Sequence, residues 1–379
     1  MINKINVLCV FGTRPEVIKM APVIKELRKF PRQIKCIVCI TGQHRQMIDP
    51  LLKLFSIKPD IDLNLMKKNQ TLEHITTTVL HKVGTLIEKH QIDCVIVQGD
   101  TTSAMAAALA GFYKKIKVAH VEAGLRTGDK YHPYPEEMNR RVIDTFADFY
   151  FAHTSLAKQN LLKEGVHPKL IEVTGNTVID ALLETAQKKY DFSMTPLATA
   201  VKDPRRLILM TAHRRENFGK PIQDICMAVK TLALKHSKTV KFIYPVHLNP
   251  NIQEPVHSIL GNIPNVYLCE PLEYLPMVQL IKRSYLVLTD SGGLQEEAPS
   301  LGKPVLVLRQ TTERPEGVTA GCVKVIGMNK INIIRSVNEL LENTQRYARM
   351  SKAVNPYGDG KASARIVKRL LKEASNVRK

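Results

Sequence analysis

Three carboxylates, Asp100, Glu122 and Glu136, stand where strands should end or a helix should begin. Their segments are Gly99-Asp100-Thr101-Thr102, His120-Val121-Glu122-Ala123-Gly124 and Pro135-Glu136-Glu137. Gathered on one edge of a sheet, such acids push one another's pKa values apart, which suits proton removal and delivery on a sugar. The alternative is an ion-pair network in which Arg126, Arg140 and Arg141 merely balance them. Asp100 alone also reads as a helix N-cap.

A second set suits phosphate chemistry. The apolar run Tyr285–Thr289 stops at Asp290-Ser291-Gly292-Gly293, and Glu296 and Glu297 follow. A glycine-rich turn from strand to helix exposes backbone N–H groups at a helix N-terminus, where the dipole favours an anion. Ser291 adds a hydroxyl, and Gly292 and Gly293 let phosphate oxygens approach closely. The acids are expected early in the helix, where they suit the dipole and one of them accepts from ribose hydroxyls. A capped helix with no ligand is the competing reading.

Gly12-Thr13-Arg14-Pro15-Glu16 also leaves a strand and opens a helix, with proline in its first turn. Arg14 and Lys19 then form a clamp for a diphosphate, unless Arg14 is only a surface residue at a capped turn. His213-Arg214-Arg215 leaves another strand, and His213 there suits a hydrogen bond to a leaving phosphate near neutral pH. Arg314, in Thr311–Glu316, is a candidate sugar or phosphate contact, and His247 is either a cleft residue or a structural one.

The elements that must position these groups alternate. Strands are expected at Ile5–Phe11, Ile34–Thr41, Asp93–Gln98, Lys117–Val121, Asp148–Ala152 and Ile171–Val173. In the second half they are expected at Arg206–Thr211, Val240–Val246, Val266–Leu268, Tyr285–Thr289, Pro304–Leu308 and Val323–Ile326. Runs that are apolar throughout indicate strands buried on both faces of a parallel sheet, and the intervening amphipathic segments, such as Val17–Lys29 and Thr71–Lys89, indicate βαβ units. The fold expected is α/β, with two doubly wound Rossmann-like domains, 1–173 and 174–360. A C-terminal helix at 361–379 packs on either one. Ligands of such sheets bind beyond the carboxyl ends of the strands, where every group named above falls.

Composition narrows the classes. A chain of 379 residues exceeds one ordinary core, so two domains are the default. Hydrophobic residues make up 44%, yet no run is long enough to span a membrane. The first apolar run is too short for a signal segment, and most of the seven cysteines lie in apolar runs; both point to the cytoplasm. Cys36 and Cys39 form a CxxC inside a strand, where residues three apart face opposite ways and do not chelate, so no metal site is expected. The net charge of +20 raises the question of nucleic acid, but the lysines are dispersed and aromatics are only 6%. An anionic nucleotide suits the charge, and nucleic acid is not expected.

Taken together, FGTRPEVIKMAP, GDTTSAMAAALAGF, HVEAGLRTGDKYHPYPEEMNRR, TGNTVIDAL, TAHRRENFGKP, YPVHLNPN, DSGGLQEEAPSLGKPVLVLR, TTERPEG and NPYGDG resemble the non-hydrolysing UDP-N-acetylglucosamine 2-epimerases along essentially the whole chain. The resemblance implies the two-domain GT-B fold with substrate in the interdomain cleft. It implies interconversion of UDP-N-acetylglucosamine and UDP-N-acetylmannosamine without cofactor, in a homodimer. Asp100, Glu122 and Glu136 match the essential acids, and Arg14 and Lys19 match diphosphate or sugar contacts. His213, Ser291, Gly292, Gly293, Glu297 and Arg314 match the UDP site, with Glu297 on the ribose and Leu272 and Met277 near the uracil. Gln43, His44, Gln46, Arg214 and His247 match a second, activating UDP-N-acetylglucosamine site, where Asn69 stands in place of an arginine of some members. A hydrolysing epimerase and a GT-B glycosyltransferase are the alternatives.

Overall fold

The valine- and isoleucine-rich runs form strands. In order they are β1 (Ile5–Phe11), β2 (Ile34–Ile40), β3 (Ile61–Asp62), β4 (Cys94–Gln98), β5 (Lys117–Ala123), β6 (Phe149–Ala152) and β7 (Ile171–Val173). Then come β8 (Arg206–Thr211), β9 (Val240–Pro245), β10 (Val266–Cys269), β11 (Leu286–Thr289), β12 (Val305–Val307) and β13 (Val323–Val325). This computed structural model describes residues 4–42, 45–66 and 70–376, without the side chains of 45, 46 and 373–376. The expected allosteric residues Gln43 and His44, the side chain of Gln46, and Asn69 lie outside the described residues.

The chain forms two units, Met1–Ala181 with Tyr357–Lys379, and Leu182–Pro356. Each is a Rossmann-like α/β domain. The first sheet runs β3-β2-β1-β4-β5-β6-β7 and the second β10-β9-β8-β11-β12-β13, and the strand pairs are parallel. In the second unit, Ile208, Met210, Phe242 and Leu288 enter one core while Leu207, Leu209, Ile243 and Val287 enter another. Successive side chains of a strand face opposite ways, so helices on both sides must cover it and its run must be apolar throughout. Among the described residues no helix is long and apolar enough to cross a membrane.

Strand order reverses between β1 and β4 in the first sheet and between β8 and β11 in the second. At such a switch point flanking connections diverge to opposite faces and leave a crevice beyond the strand ends. Gly12-Thr13-Arg14 and Asp100 occupy the first crevice; His213 and Ser291-Gly292-Gly293 occupy the second.

One expected boundary is corrected, and two features are additions. The break between units lies not at 173/174 but at Ala181/Leu182, inside the helix Thr177–Gln187, which begins directly after Asn176. The stretch Tyr190–Asp203 contains a short helix, Ala198–Lys202, and an edge-to-face pair, Tyr190 on Phe192. β3 went unread because two residues carry no periodicity; Ile61 and Asp62 pair with Cys39 and Ile40.

The C-terminal helix, Ala362–Asn376, returns to the first unit. Asp180 caps it from afar, accepting from the backbone N–H of Ser363 (2.9 Å) and Ala362 (3.2 Å) and from Ser363 Oγ (2.6 Å). These satisfy donors that a helix N-terminus otherwise leaves unpaired. Arg365 donates to the carbonyl of Thr174, and Asn176 N–H to that of Tyr357, at 2.9 and 2.6 Å.

Candidate functional site

In the first unit, β1 delivers Gly12 to the start of the helix Arg14–Leu27. A Cβ at Gly12 would lie 1.8 Å from Thr41 Oγ1, so only glycine fits. Glu16 closes this turn: its buried Oε2 accepts from the N–H groups of Gly12 (2.9 Å) and Thr13 (2.7 Å), and Oε1 accepts from Thr101 Oγ1 (2.7 Å). Burial raises the Glu16 carboxyl above its ordinary value, and these hydrogen bonds offset part of that. Arg14 opens the helix and Lys19 lies further along it.

Lys19 Nζ lies 2.7 and 2.6 Å from the two carboxylate oxygens of Glu122. Asn176 Nδ2 (3.0 Å) and Gln98 Nε2 also donate to this carboxylate. β5 was expected to end at Val121. It runs on to Ala123, which pairs with Ala152 beyond a register shift, and Glu122 at that shift takes a left-handed φ of 70°. A bulge re-aims one side chain of a strand, and a non-glycine residue at positive φ marks stored strain.

Asp100 is not an N-cap. Thr101 caps the helix Thr102–Tyr113, accepting from Ala104 N–H. Asp100 instead receives Arg140, through Nε at 2.9 Å and through Nη2, while Asn139 Nδ2 holds its carbonyl at 2.9 Å. Both partners belong to the helix Glu136–Phe146, so the first turns of this helix lie against the end of β4. Glu136 opens that helix, and its Oε2 is buried with no hydrogen-bond partner among the described residues. The neighbouring Glu137 is the fully buried acid, accepting from the N–H groups of Thr127 (3.0 Å) and Gly128 (3.3 Å) and from Arg140 (3.2 Å).

Of the arginines weighed as partners of the three acids, Arg140 takes Asp100, whereas Arg126 pairs with Asp144 (2.8 Å) and Glu164 (2.6 Å), and Arg141 reaches Glu164 (3.5 Å). Asp144 also accepts from the buried His120, whose Nδ1 is 2.6 Å away and whose Nε2 is 2.7 Å from the carbonyl of Gly99. Sequence reasoning missed Glu16, His120 and Asp144; the alternation of His120 with Glu122 along β5 was the available signal.

Burial alone would raise the Asp144 carboxyl, but the charge and hydrogen bonds of His120 and Arg126 hold it below the usual carboxylate range. A lowered folded-state pKa adds stability above the unfolded value of about 4, and that stability disappears as pH falls through the folded value. Asp144→Asn should therefore flatten the acid loss of stability below about pH 4, read as unfolding midpoint against pH. An unchanged acid slope would assign that loss to other carboxyls.

In the second unit, Ser291 is the N-cap of the helix Gly292–Ser300, and its side chain makes no capping hydrogen bond. Glu296 and Glu297 therefore fall in the second turn, not the first, and answer to tertiary partners instead of the dipole. Glu296 pairs with Arg314, and Glu297 accepts from Tyr274 Oη at 2.8 Å. The guanidinium of Arg214 lies beside the turn: Nη2 would be 3.8 Å from a Cβ at Gly292. Its Nε is buried without a hydrogen-bond partner among the described residues. His213 stacks on His247, centroids 5.8 Å apart. Leu272 lines a cavity of about 610 Å³ with Val246, Leu268, Pro271 and Tyr190, and both Leu272 and Met277 pack against the core that holds Leu207, Leu209 and Val287.

Among the described residues no group of three or more His, Cys, Asp or Glu is placed to hold a metal ion. The CxxC thiols go separate ways: Cys36 Sγ lies 4.0 Å from Cys9 Sγ, and burial pushes the Cys39 thiol up to about 12.

Two Rossmann-like units, one with paired acids and cations at its strand ends and the other with a glycine turn flanked by His and Arg, define a class of nucleotide-handling α/β enzymes. The family model described as UDP-N-acetylglucosamine 2-epimerase matches residues 25–371. The UDP-N-acetylglucosamine 2-epimerase of Neisseria meningitidis is 51% identical over 371 residues, 97% of this chain and 99% of that one. The enzyme of that name from Escherichia coli K12 is 50% identical over 96% of this chain and 98% of its own. A putative UDP-N-acetylglucosamine 2-epimerase from Listeria monocytogenes superposes with a TM-score of 0.93 at 48% identity, covering 99% of this chain and 98% of that one. The Neisseria enzyme bound to UDP-GlcNAc superposes at 0.86 with 50% identity, over 97% and 100%. The chain belongs to the UDP-N-acetylglucosamine 2-epimerase family.

Proposed function

We propose that the protein interconverts UDP-N-acetylglucosamine and UDP-N-acetylmannosamine, without net hydrolysis, by elimination and re-addition of UDP. Alongside family membership, one observation carries the reading: Glu122, held at a left-handed bulge by Lys19, stands next along the sheet to the Asp100–Arg140 pair. Inverting a sugar carbon calls for acid–base groups on both faces, and two separately supported carboxylates meet that need.

The chemistry sets the order of events. The C2 proton has no carbonyl beside it and is not acidic. When the C1–oxygen bond breaks, its electron pair leaves with UDP and C1 becomes oxocarbenium-like. A carboxylate, Asp100 or Glu122, then takes the C2 proton, and the C–H electron pair forms the C1–C2 double bond of 2-acetamidoglucal. UDP returns to C1 as C2 is reprotonated on the other face. Arg14, Lys19, Arg314 and the Ser291-Gly292-Gly293 turn stabilise the diphosphate charge, and His213 hydrogen-bonds the leaving phosphate. Glu136 supports the acid pair, Glu297 holds the ribose, and Leu272 and Met277 lie near the uracil. Arg214 and His247 serve a second, activating UDP-N-acetylglucosamine. The enzyme works as a cytoplasmic homodimer with neither metal nor nicotinamide.

Proton NMR of the purified protein with UDP-N-acetylglucosamine in deuterated water tests this directly. UDP-N-acetylmannosamine carrying deuterium at C2 is the expected product. Free N-acetylmannosamine plus UDP would make it a hydrolase; product without deuterium would rule out the glucal route.

A further inference from the structure

Asp290 is the first residue beyond β11, and its carboxylate is fully buried. Oδ2 accepts from the backbone N–H groups of His213 and Arg214, each at 2.7 Å, and from Asn217 Nδ2 at 2.8 Å. Oδ1 lies 3.1 Å from Nδ1 of His213 and has no aligned hydrogen bond among the described residues. One acid thus ties together the two strand exits of the switch point and directs its remaining oxygen at a ring nitrogen. The ring stacks on His247 and its side chain is 37% exposed, so Nε2 is the nitrogen left for a ligand. A carboxylate beside one imidazole nitrogen selects the tautomer and balances the charge when the other nitrogen is protonated.

We propose that Asp290 is a positioning residue for His213, keeping a proton on Nδ1 so that Nε2 exchanges a proton with the diphosphate as the C1–oxygen bond breaks and re-forms. This rests on the epimerase reading. In the forward step the bonding pair leaves with UDP and the Nε2 proton passes to a β-phosphate oxygen. Neutral imidazole remains, with Nδ1–H toward Asp290. Re-addition of UDP returns the proton to Nε2.

Asp290→Asn separates this role from scaffolding. The amide oxygen can take the place of Oδ2 and keep the three loop hydrogen bonds, while the amide NH2 faces Nδ1 and forces the ring proton to Nε2. The full-length protein, labelled with nitrogen-15 histidine and saturated with UDP, is examined by NMR. His213 is assigned by its loss in His213→Asn. Wild type should show a protonated Nδ1, and Asp290→Asn an unprotonated one. Asn217→Ala, which removes a loop donor without touching the ring, should leave the proton on Nδ1. Turnover of saturating UDP-N-acetylglucosamine should fall about 10- to 100-fold in Asp290→Asn, and the double variant should be no slower than His213→Asn alone. Multiplying effects in the double variant, or an unprotonated Nδ1 in wild type, would overturn the proposal. If the wild type turns over no UDP-N-acetylglucosamine, the epimerase reading fails by itself, and the tautomer measurement still decides the pairing.

Discussion

Glu122→Gln should lower turnover of UDP-N-acetylglucosamine by about 10²- to 10⁴-fold, the range for loss of a general base. The amide keeps the volume of the carboxylate and accepts from Asn176, but it cannot take a proton from C2. It also leaves Lys19 Nζ facing a neutral group where it now has two oxygens at 2.7 and 2.6 Å. The Lys19 and Glu122 side chains are 16% and 6% exposed, so the broken pair should also cost about 1–3 kcal/mol of stability. Steady-state kinetics with a thermal-unfolding control measures both. Asp100→Asn in parallel distinguishes the two acids, since the epimers carry the C2 proton on opposite faces. The base for one face is the residue whose loss stops deuterium wash-in from that epimer first. Turnover within about tenfold of wild type in Glu122→Gln would remove this residue from the chemistry.

Gly124→Ala should strongly destabilise the first unit. Gly124 has a φ of +82°, and a Cβ there would lie 2.3 Å from the backbone oxygen of Ala157 and 2.8 Å from Leu161 Cγ. The first obstacle is main chain of the helix Ser155–Lys163 and cannot rotate away. Gly124 also donates to Asp144 at 3.1 Å and accepts from Asn160 Nδ2 at 3.0 Å, so a shift disturbs the network behind β5. Left-handed strain and overpacking together predict a loss of about 3–5 kcal/mol. Gly128→Ala is the control: φ is +83°, but nothing lies within 4 Å of its Cβ, so backbone strain alone predicts about 1 kcal/mol. Denaturant unfolding of both variants gives the comparison. Equal losses would show that the contact with Ala157 carries no weight. Two residues after Glu122, the same substitution should also reduce activity.

Where the candidate residues lie in the fold was legible because strand exits are local signals. Gly12, Asp100, His213 and Ser291 each follow an apolar run that stops abruptly, and in a parallel sheet every such stop lies at the ligand-binding edge. The partners were not legible. Lys19 and Glu122 are 103 residues apart, and nothing near either one announces the other. Glu137 and Glu16 drew no role beside Glu136 and Arg14, yet they are buried and hold loops together. Glu296 was misread for the converse reason: the helix begins at Gly292, which moves Glu296 beyond the reach of the dipole and leaves Arg314 to decide its role.

By itself the sequence determined the class of the fold, because short unbroken Val/Ile runs bounded by turn signals read as strands covered on both faces, and it determined which residues leave those strands. The tertiary structure decided what depends on distant backbone meeting. The bulge that turns Glu122 out of β5 arises in the pairing of β5 with β6. The capping of the C-terminal helix by Asp180, 183 residues before Ser363, arises because that helix lies on the first unit. Local propensity acts over a few residues and is written in neighbours; close approach, burial and charge pairing are properties of the packed chain, and only packing assigns them.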